Sequence, residues 1–373
     1  MSNPSLSSPH AVPPVAPAPT PAGIIGCYRS RRDLRGADLL TFASLTPGVV
    51  AELFASARQL KAEFRAIRAG QGLAVPGDDS AKVASGGSVL ATRPLRDVTA
   101  VLLFEKPSLR TKMSFEAGIS MLGGSSIFMD HSQQKLGERE AVKDYALNLE
   151  RWVSCIIARV YSQEVLYELA QHATVPVINA LSDRFHPCQA LADLFTLSER
   201  AEALGMPLTQ MRLAYVGDGN NVCHSLMHAA TMLGVSTTVI APKGYEPAAD
   251  VVAECQALCN ASGATLAITD DLAAMKGHHA VYTDVWVSMG QADTAAKRRK
   301  VFAEYQVNAV LMALASKGLS LPEGAYFMHC LPAQRGVEVT DDVIDSKASL
   351  VYEQAENRMH AQDALLVAML GRA

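Results

Sequence analysis

The sequence carries little net charge and has no long apolar segment. Its 33 basic and 37 acidic residues give a formal net charge of -4, with a pI near 6.2. Nothing in this balance indicates the basic face that a nucleic-acid-binding protein needs. A membrane-spanning helix needs roughly 18 to 20 consecutive apolar residues, and no segment reaches that length. We therefore predict no nucleic-acid partner and no membrane span.

The chain also lacks a repeated cysteine spacing and a recognisable targeting segment. Its seven cysteines are scattered, and an odd number in a chain of this length favours free thiols in a reducing compartment. Residues 1–24 are rich in Pro, Ala and Ser, without the arginines of a transit peptide or the basic and apolar regions of a secretory signal. We predict a disordered tail over these residues and a cytoplasmic location.

What the chain does contain is 49% hydrophobic residues, arranged as short apolar segments that alternate with segments of helical spacing. Such alternation is typical of parallel sheets covered by helices on both faces. The predicted strands are 101–104, 126–129, 155–158, 175–179, 213–216, 237–240, 265–268, 280–283 and 326–329. The predicted helices begin at Pro47 and after Ser108, and span 140–151, 162–172, 187–200, 221–233, 247–261 and 355–370.

This order predicts the α/β class, with two doubly wound parallel-sheet domains linked by helices. The first domain is predicted over residues 25–185 and the second over 186–354, with the C-terminal helix, 355–373, returning to the first. A Gly-rich stretch over 69–93 is predicted to be a surface insertion. In open α/β sheets ligands bind beyond the carboxyl ends of the strands, so we expect the site in the loops that follow them.

The segment FEKPSLRT, at 104–111, places hydroxyl and guanidinium groups where a buried strand is followed by a helix. Pro107 marks the turn, and Ser108, Arg110 and Thr111 fall in the first helical turn. Unpaired N–H groups and the positive end of the helix dipole favour an anion there, and phosphate is the best candidate. A Ser or Thr in this place is as often a simple N-cap, so the segment by itself leaves both interpretations open.

Other strand ends carry polar residues as well. Arg159, Asn221, Asp284 and Cys330 each follow a predicted strand. A carboxylate such as Asp284 is suited to an ammonium ion, and a thiol such as Cys330 is partly ionised if positive charge is near. Each also has an ordinary structural interpretation, as a turn asparagine, a capping aspartate, a core cysteine or a solvated charge.

Two helix starts carry further candidates. His186 and Gln189 stand at the start of the predicted helix 187–200, and Arg358 stands near the start of the last helix. His186 could donate a hydrogen bond to a carbonyl oxygen, although a lone His at a helix start is more often a structural group. Arg358 by itself is a solvated charge.

Two familiar motifs are incomplete. The segment VGDGNN, at 216–221, follows a strand and opens a helix like a dinucleotide-binding loop, but Val222 takes the place of the third glycine. His224 and His228 have the spacing of a helical zinc pair, without the glutamate that a zinc protease has between them. We predict no cofactor and no metal. A dinucleotide-binding oxidoreductase is the alternative from another class of function.

Six segments, in matching order and spacing, resemble the aspartate/ornithine carbamoyltransferase family over nearly the whole chain, from about Leu40 to Leu370. They are FEKPSLRTKMSFE, HPCQALADL, VGDGNNVCHSL, TDVWVSMGQ, HCLPAQRG and AENRMHAQ. The fourth and fifth segments resemble the ornithine branch. The resemblance implies a homotrimer with active sites near the subunit interfaces.

The implied reaction is transfer of the carbamoyl group of carbamoyl phosphate to the δ-amine of L-ornithine, which gives L-citrulline and phosphate in arginine metabolism. Another amine, such as N-acetylornithine or putrescine, is an alternative acceptor. A catalytically inactive relative is a further alternative, and the presence of Arg110, Arg159, His186 and Arg358 argues against it.

The resemblance also implies roles for single residues. Those implied in catalysis are Arg110, His186 and Cys330. The implied carbamoyl phosphate site consists of Ser108, Leu109, Arg110, Thr111, Lys135, Arg159, His186, Gln189, Cys330, Leu331 and Arg358. The implied ornithine site consists of Asn221, Asp284, Ser288 and Met289. Cys330 is implied to manage the proton of the attacking amine, as a thiolate or acceptor, rather than to form a covalent intermediate.

Three residues depart from the usual pattern of the family. Leu109 stands where many members have Thr, at a position where the backbone is expected to make the contact. Lys135 stands where many members have Gln, on a loop expected to reach the neighbouring subunit's site; it would bring a cation to the phosphate, and the alternative is a solvent-facing lysine. Gln334 stands where His or Phe is more usual, with no predicted consequence.

Overall fold

The structure is a computed structural model that describes residues 34–71, 88–287 and 295–371. The predicted tail and most of the predicted insertion lie outside these residues. The strands are β1 (Thr99–Phe104), β2 (Ser125–Asp130), β3 (Cys155–Arg159), β4 (Val177–Leu181), β5 (Arg212–Val216), β6 (Ser236–Ile240), β7 (Leu266–Thr269), β8 (Ala280–Thr283) and β9 (Tyr326–His329). The helices are α1 (Pro47–Arg68), α2 (Val89–Thr92), α3 (Leu109–Met121), α4 (Val142–Leu149), α5 (Gln163–His172), α6 (Pro187–Ala203), α7 (Asn221–Met232), α8 (Ala249–Ser262), α9 (Ala295–Phe302), α10 (Ala309–Ser316), α11 (Asp341–Ile344) and α12 (Val351–Leu370).

The first long helix, α1, begins where the sequence predicts. The hydroxyl of Thr46 accepts the N–H of Val49 at 3.3 Å, and Pro47 takes the first helical position, where its missing N–H costs nothing. Val50 and Leu53 are buried on the apolar face of the helix. This face belongs to the main core, and α1 packs against α12.

The first sheet is parallel throughout and has the strand order β2-β1-β3-β4. β1 is apolar at nearly every position because both of its faces are covered: Leu102 belongs to one core cluster, and Leu103 to another on the opposite face. β2 is an edge strand, on which Ile127 is 50% exposed. The chain passes from β1 to β2 on one side and then to β3 on the other, which leaves a crevice between the carboxyl ends of β1 and β3.

The second sheet repeats this plan with the order β7-β6-β5-β8-β9, again parallel throughout. The chain leaves β5 for β6 and β7 and then crosses to β8, so the second crevice lies between β5 and β8. Helix α6 packs against α7 and α12, and α12 also packs against α3. One apolar cluster therefore runs from Leu102 on β1, through Leu194 on α6, to Leu213 on β5.

The predicted α/β class with two parallel sheets is confirmed, and all nine predicted strands are present. The last part of the predicted insertion forms the short helix α2. The Glu63 carboxylate accepts the N–H groups of Val89 and Leu90, at 3.0 and 2.9 Å, and so caps this helix. Helices α9, α10 and α11 were not predicted, because a segment such as Ala309–Ser316 is apolar at almost every position and shows no helical period.

Among the described residues, no helix has both the length and the apolar character needed to cross a membrane. The cysteines in the same residues are all free thiols, and they are Cys155, Cys188, Cys223, Cys255, Cys259 and Cys330.

Candidate active site

A cavity of about 680 Å³ lies where the two crevices meet. The end of β3 and the loops that follow β1, β4, β5, β8 and β9 contribute to its wall, as expected for ligand sites in open α/β sheets. The predicted site residues that line it are Ser108, Leu109, Arg110, Thr111, Arg159, His186, Gln189, Asn221, Asp284, Cys330, Leu331 and Arg358.

The residues Ser108 to Thr111, called here the anion cradle, form the junction of β1 and α3. Ser108 is the N-cap of α3, because its hydroxyl accepts the N–H of Thr111 at 3.2 Å; it also donates to the Thr111 hydroxyl at 2.9 Å. The N–H groups of Leu109 and Arg110 begin the helix and have no helical carbonyl to bind. The side chain of Leu109 is 72% exposed. Ser108 is thus both an N-cap and part of the cavity wall.

Three arginines meet at the anion cradle. Arg159, at the end of β3, and Arg358, on α12, are 6% and 4% exposed, and Arg110 lines the same wall. Arg358 donates to the Thr111 hydroxyl at 2.8 Å, whereas the Nε–H groups of Arg159 and Arg358 are buried and have no acceptor in the part of the chain that the structure describes. Burial, followed by the charge of Arg358, lowers the pKa of Arg159 to about 9, so it is still a cation at neutral pH. Concentrated positive charge with unused donors is suited to a dianion.

His186 is a neutral imidazole beside these arginines. It is the N-cap of α6, and its backbone N–H donates to the Ser225 hydroxyl at 2.7 Å. Burial, and then the charges of Arg358 and Arg159, hold the pKa of His186 well below 6.5. Its Nδ1 is buried and has no partner among the residues that the structure describes. A neutral imidazole at this point can donate one hydrogen bond to a carbonyl oxygen.

The opposite wall carries a carboxylate whose hydrogen-bond partners are neutral. Asp284 follows β8 and is 7% exposed. Asn220 donates to its Oδ2 at 2.8 Å, and the Cys330 thiol donates to its Oδ1 at 3.1 Å. Asn220 is itself held in place, because its Oδ1 caps α7 by accepting the N–H of Val222. A carboxylate oriented in this way is suited to a cationic amine.

The Cys330 side chain is a thiol rather than a thiolate. Burial, followed by the adjacent Asp284 carboxylate, raises its pKa well above 9.0. The charge of Arg358 lowers this pKa, but its effect is smaller. Of the two roles expected for Cys330, thiolate or acceptor, this pKa disfavours the thiolate, because the nearest charge is a carboxylate, which opposes a second anion.

The turn after Cys330 contains a strained residue. Leu331 has a φ of 55°, in the left-handed region that residues other than glycine rarely adopt. Its N–H donates to Nδ1 of the buried His329 at 2.8 Å, and Nε2 of His329 lies 3.3 Å from the Glu338 carboxylate. Strain that is held by surrounding bonds in this way is typical of binding sites.

Comparison with known proteins gives the family. The carbamoyl-P binding domain of aspartate/ornithine carbamoyltransferase matches residues 37–199, and the Asp/Orn binding domain matches residues 209–369. The chain belongs to the aspartate/ornithine carbamoyltransferase family. A similar protein is the ornithine carbamoyltransferase of Shewanella oneidensis, which is 51% identical over 271 residues, or 73% of this chain and 86% of that protein.

Solved structures of the carbamoyltransferase family have the same fold. The ornithine carbamoyltransferase from Pyrococcus furiosus aligns with a TM-score of 0.78 and 40% identity, over 91% of this chain and 99% of that chain. The ornithine carbamoyltransferase from Thermus thermophilus aligns with a TM-score of 0.71 and 39% identity, over 89% of this chain and 98% of that chain.

Lys135, which is expected in a carbamoyltransferase site, does not line the cavity. Lys135 is exposed, and its ammonium group lies 4.8 Å from the ring centre of Tyr161, outside the residues that line the cavity. Ser288 and Met289 lie outside the described residues. Asn221 does line the cavity, with its amide donating to the Ser182 carbonyl at 2.6 Å.

Sequence reasoning missed several residues of this carbamoyltransferase site. Asn220, rather than Asn221, is the asparagine that holds Asp284. Lys106 lines the cavity from within the FEKPSLRT segment, and Arg298 lines it from α9 while paired with Asp218 at 2.8 Å. The lysine could have been found from its place inside the motif. The pairing of Arg298 with Asp218 joins positions 80 residues apart in sequence and leaves no local pattern.

One group of residues in the carbamoyltransferase site has donor atoms suited to a metal ion. Atoms of Asp284, His329 and Cys330 lie within 4.8 Å of one another. The thiol is already bonded to the carboxylate, and Nδ1 of His329 accepts the N–H of Leu331. His224, from the incomplete zinc pair, has one ring nitrogen 3.0 Å from the Arg184 carbonyl, and the other accepts the N–H of Ala248. These groups serve as hydrogen-bond partners within the fold.

Proposed function

We propose that the protein transfers the carbamoyl group of carbamoyl phosphate to the δ-amine of L-ornithine, giving L-citrulline and phosphate. The observation that carries the proposal is that one cavity has two chemically different walls. One wall holds the anion cradle and three arginines, which suit a phosphate dianion. The other holds a carboxylate with neutral partners, which suits the ammonium group of an amino acid.

The phosphate of carbamoyl phosphate binds to the anion cradle. Ser108, Thr111 and the backbone of Leu109 surround it, and Arg110 and Arg159 neutralise its charge. The buried Nε–H of Arg159 has no acceptor among the described residues, so a bound phosphate oxygen would satisfy it. The same guanidinium groups stabilise the phosphate as it leaves.

The carbamoyl group lies between the start of α6 and the turn after β9. His186, Gln189, Arg358 and the backbone of Cys330 and Leu331 contact it. A neutral His186 donates to the carbonyl oxygen, and Arg358 stabilises the negative charge that this oxygen develops. These donors are held in place before the substrate arrives, so they need little rearrangement during the reaction.

Ornithine binds on the opposite wall, through Asn221, Asp284, Ser288 and Met289. Asp284 holds the α-ammonium group. The δ-amine has an ordinary pKa of about 10.4, and the positive charge of the facing arginines favours its neutral, nucleophilic form. Attack forms the bond from nitrogen to the carbamoyl carbon and breaks the bond from that carbon to the phosphate oxygen. The proton lost by the amine passes to the departing phosphate, while the Cys330 thiol orients Asp284.

The choice of ornithine over N-acetylornithine rests on Asp284. N-acetylornithine carries no α-ammonium group to pair with this carboxylate, and putrescine carries no α-carboxylate. Carbamoyl transfer to the three amines should be measured side by side with the purified protein. We expect kcat/KM to be at least about 100-fold higher with ornithine than with either alternative. Activity with N-acetylornithine alone would overturn the proposal.

We further propose a homotrimer in which Lys135 reaches the anion cradle of the neighbouring subunit. The support is that Lys135 is exposed on the loop after the edge strand β2, and that the exposed apolar residues Ile127, Leu109 and Met113 lie on β2 and on α3. Subunits that carry Lys135→Ala should be mixed with subunits that carry Arg110→Ala. If the activity of every mixture equals the average of the two variants, the site is not shared between subunits.

The domain boundaries and the location are proposed from helix packing and from the state of the cysteines. The division into 25–185 and 186–354, with the C-terminal helix returning to the first domain, is supported by the packing of α12 against α1 and α3. A cytoplasmic location is supported by the free thiols of the described cysteines.

A further inference from the structure

Asp193 is a buried carboxylate on α6, one helical turn after Gln189. It has no exposed surface and does not line the cavity. Its Oδ1 accepts two hydrogen bonds, from Nε2 of Gln189 at 2.8 Å and from Nε2 of Gln354 at 2.9 Å. A buried carboxylate is costly unless its partners compensate for lost hydration, so its presence behind the site requires an explanation.

The bond to Asp193 determines which way the Gln189 amide faces. The amide oxygen accepts from Nη1 of Arg358 at 2.7 Å, and the amide nitrogen donates to Asp193. A carboxylate can only accept and a guanidinium can only donate, so the reversed amide would meet both partners with the wrong group. The oxygen end is shared with Arg358, which lines the cavity, and the nitrogen end is shared with Asp193, which does not.

Asp193 also connects Gln189 to the turn that carries Cys330. Gln354, on α12, donates to Asp193 and accepts the backbone N–H of His329 at 3.0 Å. His329 is the last residue of β9 and precedes Cys330 directly. The two parts of the wall that meet the carbamoyl group are therefore joined through one carboxylate.

We propose that Asp193 is a positioning residue: it fixes Gln189 as a hydrogen-bond acceptor for the carbamoyl NH2 group and, through Gln354, aligns the Cys330 turn with it. This inference rests on the proposed function. An acceptor at this point distinguishes a carbamoyl group from an acyl group of the same shape, such as acetyl, which has a methyl group in place of the NH2.

The sharpest test exchanges donor and acceptor within the pair. Asp193→Asn alone turns an N–H group toward the amide of Gln189, and Gln189→Glu alone turns a carboxylate toward Asp193. In the double variant, the new amide at position 193 would donate to the new carboxylate at position 189, which restores a donor–acceptor pair between the two side chains. The other oxygen of that carboxylate would face Arg358. We expect each single change to lower kcat/KM for carbamoyl phosphate about 100-fold, and the double change to restore it to within about tenfold of the parent.

Thr196→Val provides the matched control. Thr196 is buried one turn further along α6 and accepts a hydrogen bond from Asn357 on α12, without a hydrogen bond to Gln189. The Thr196→Val variant should disturb the same helix interface. It should leave unchanged the ratio of two affinities, that for acetyl phosphate as an inhibitor and that for carbamoyl phosphate. The ratio should shift toward acetyl phosphate in Asp193→Asn. If the parent is active on ornithine and the double variant does not recover kcat/KM, the inference about Asp193 is overturned. If the parent itself is inactive, the proposed function is overturned instead.

A pH profile tests the same role if a single variant fails to fold. Burial raises the pKa of Asp193 to about 6, and the Gln354 hydrogen bond lowers it. The charged or titratable groups that interact with it are Arg358, Tyr282 and Cys330. Protonation weakens both bonds of Asp193, so kcat/KM should fall as the pH drops through about 6. Gln354→Met removes a donor, raises the pKa of Asp193 and should move this fall to higher pH; an unmoved profile would contradict the inference.

Discussion

The two walls of the cavity are built on opposite principles. On the wall of the anion cradle, donors outnumber acceptors, and the Nε–H groups of Arg159 and Arg358 are buried without a partner within residues 34–71, 88–287 and 295–371. On the other wall, the Asp284 carboxylate is bonded at both oxygens, by Asn220 and Cys330. The hydrogen-bond donors of the first wall thus need an anion, whereas the carboxylate of the second wall already has its hydrogen bonds and lacks only a cation.

This difference explains how one cavity accommodates two substrates of opposite charge. The unsatisfied arginines make the empty first wall costly, since buried donors without acceptors lose their hydration, and a phosphate removes that cost. The carboxylate wall has no such penalty and gains only when a cation arrives. We therefore expect changes on the first wall to cost more activity than changes on the second.

The largest effect is expected from Arg110→Ala, on the first wall. Loss of a charge-assisted contact to the phosphate should cost about 3 to 4 kcal/mol of transition-state stabilisation, or roughly 100- to 1,000-fold in kcat/KM for carbamoyl phosphate. Steady-state kinetics measure this loss. Arg96→Ala, an exposed arginine at the other end of β1, is the control and should be neutral. A near-normal kcat/KM for Arg110→Ala would contradict the assignment of the phosphate to the first wall.

A smaller effect is expected from Asp284→Asn, on the second wall. The amide keeps the shape of the carboxylate but loses its charge, which should cost about 1.5 to 3 kcal/mol and act mainly on KM for ornithine. Asp341→Asn, which changes an exposed carboxylate paired with Arg335, is the matched control. A rise in KM for carbamoyl phosphate alone would show that Asp284 contacts carbamoyl phosphate instead of ornithine.

Acid should weaken the fold near both walls. Burial lowers the pKa of His224, which lines the cavity, and of His360, on α12, to about 4 each. Below about pH 6.5 these two histidines bind protons in the unfolded chain but not in the folded protein. The free energy of unfolding is therefore full above that pH and falls toward pH 4, by about 1.4 kcal/mol per pH unit for each histidine.

Urea unfolding of the parent and of His360→Gln between pH 6.5 and 5 measures this slope. The variant should lose stability less steeply, by about 1.4 kcal/mol per pH unit. Equal slopes would show that His360 binds its proton in the fold.

The smallest effect is expected from Cys330→Ser. Because the group is a thiol that donates to Asp284, a hydroxyl can replace it, and kcat/KM for ornithine should fall by less than about tenfold. The pKa of Cys330 lies well above 9.0, so the profile up to pH 9 should not change. A loss beyond about 1,000-fold would instead indicate chemistry that only sulfur can perform.

Local pattern accounts for the fold and for half of the site. The alternation of apolar segments located every strand, and the FEKPSLRT segment placed Ser108, Arg110 and Thr111 at a helix start, because both depend on residues close in sequence. Cys330 was found but its ionisation was left open, since the carboxylate beside it lies 46 positions away. Asn220 was passed over for its neighbour because two adjacent asparagines look alike until one of them is seen to cap a helix.

The amino-acid sequence by itself determined the class of fold, the order of the strands along the chain and the strand ends that carry chemistry. Only the tertiary structure decided which of these ends share a wall. Arg358 meets Thr111 across 247 positions, and Gln354 meets Asp193 across 161. The physical reason is that a charge or hydrogen bond acts through space within a few ångströms, so its partner is set by how the helices pack and not by the neighbouring residues.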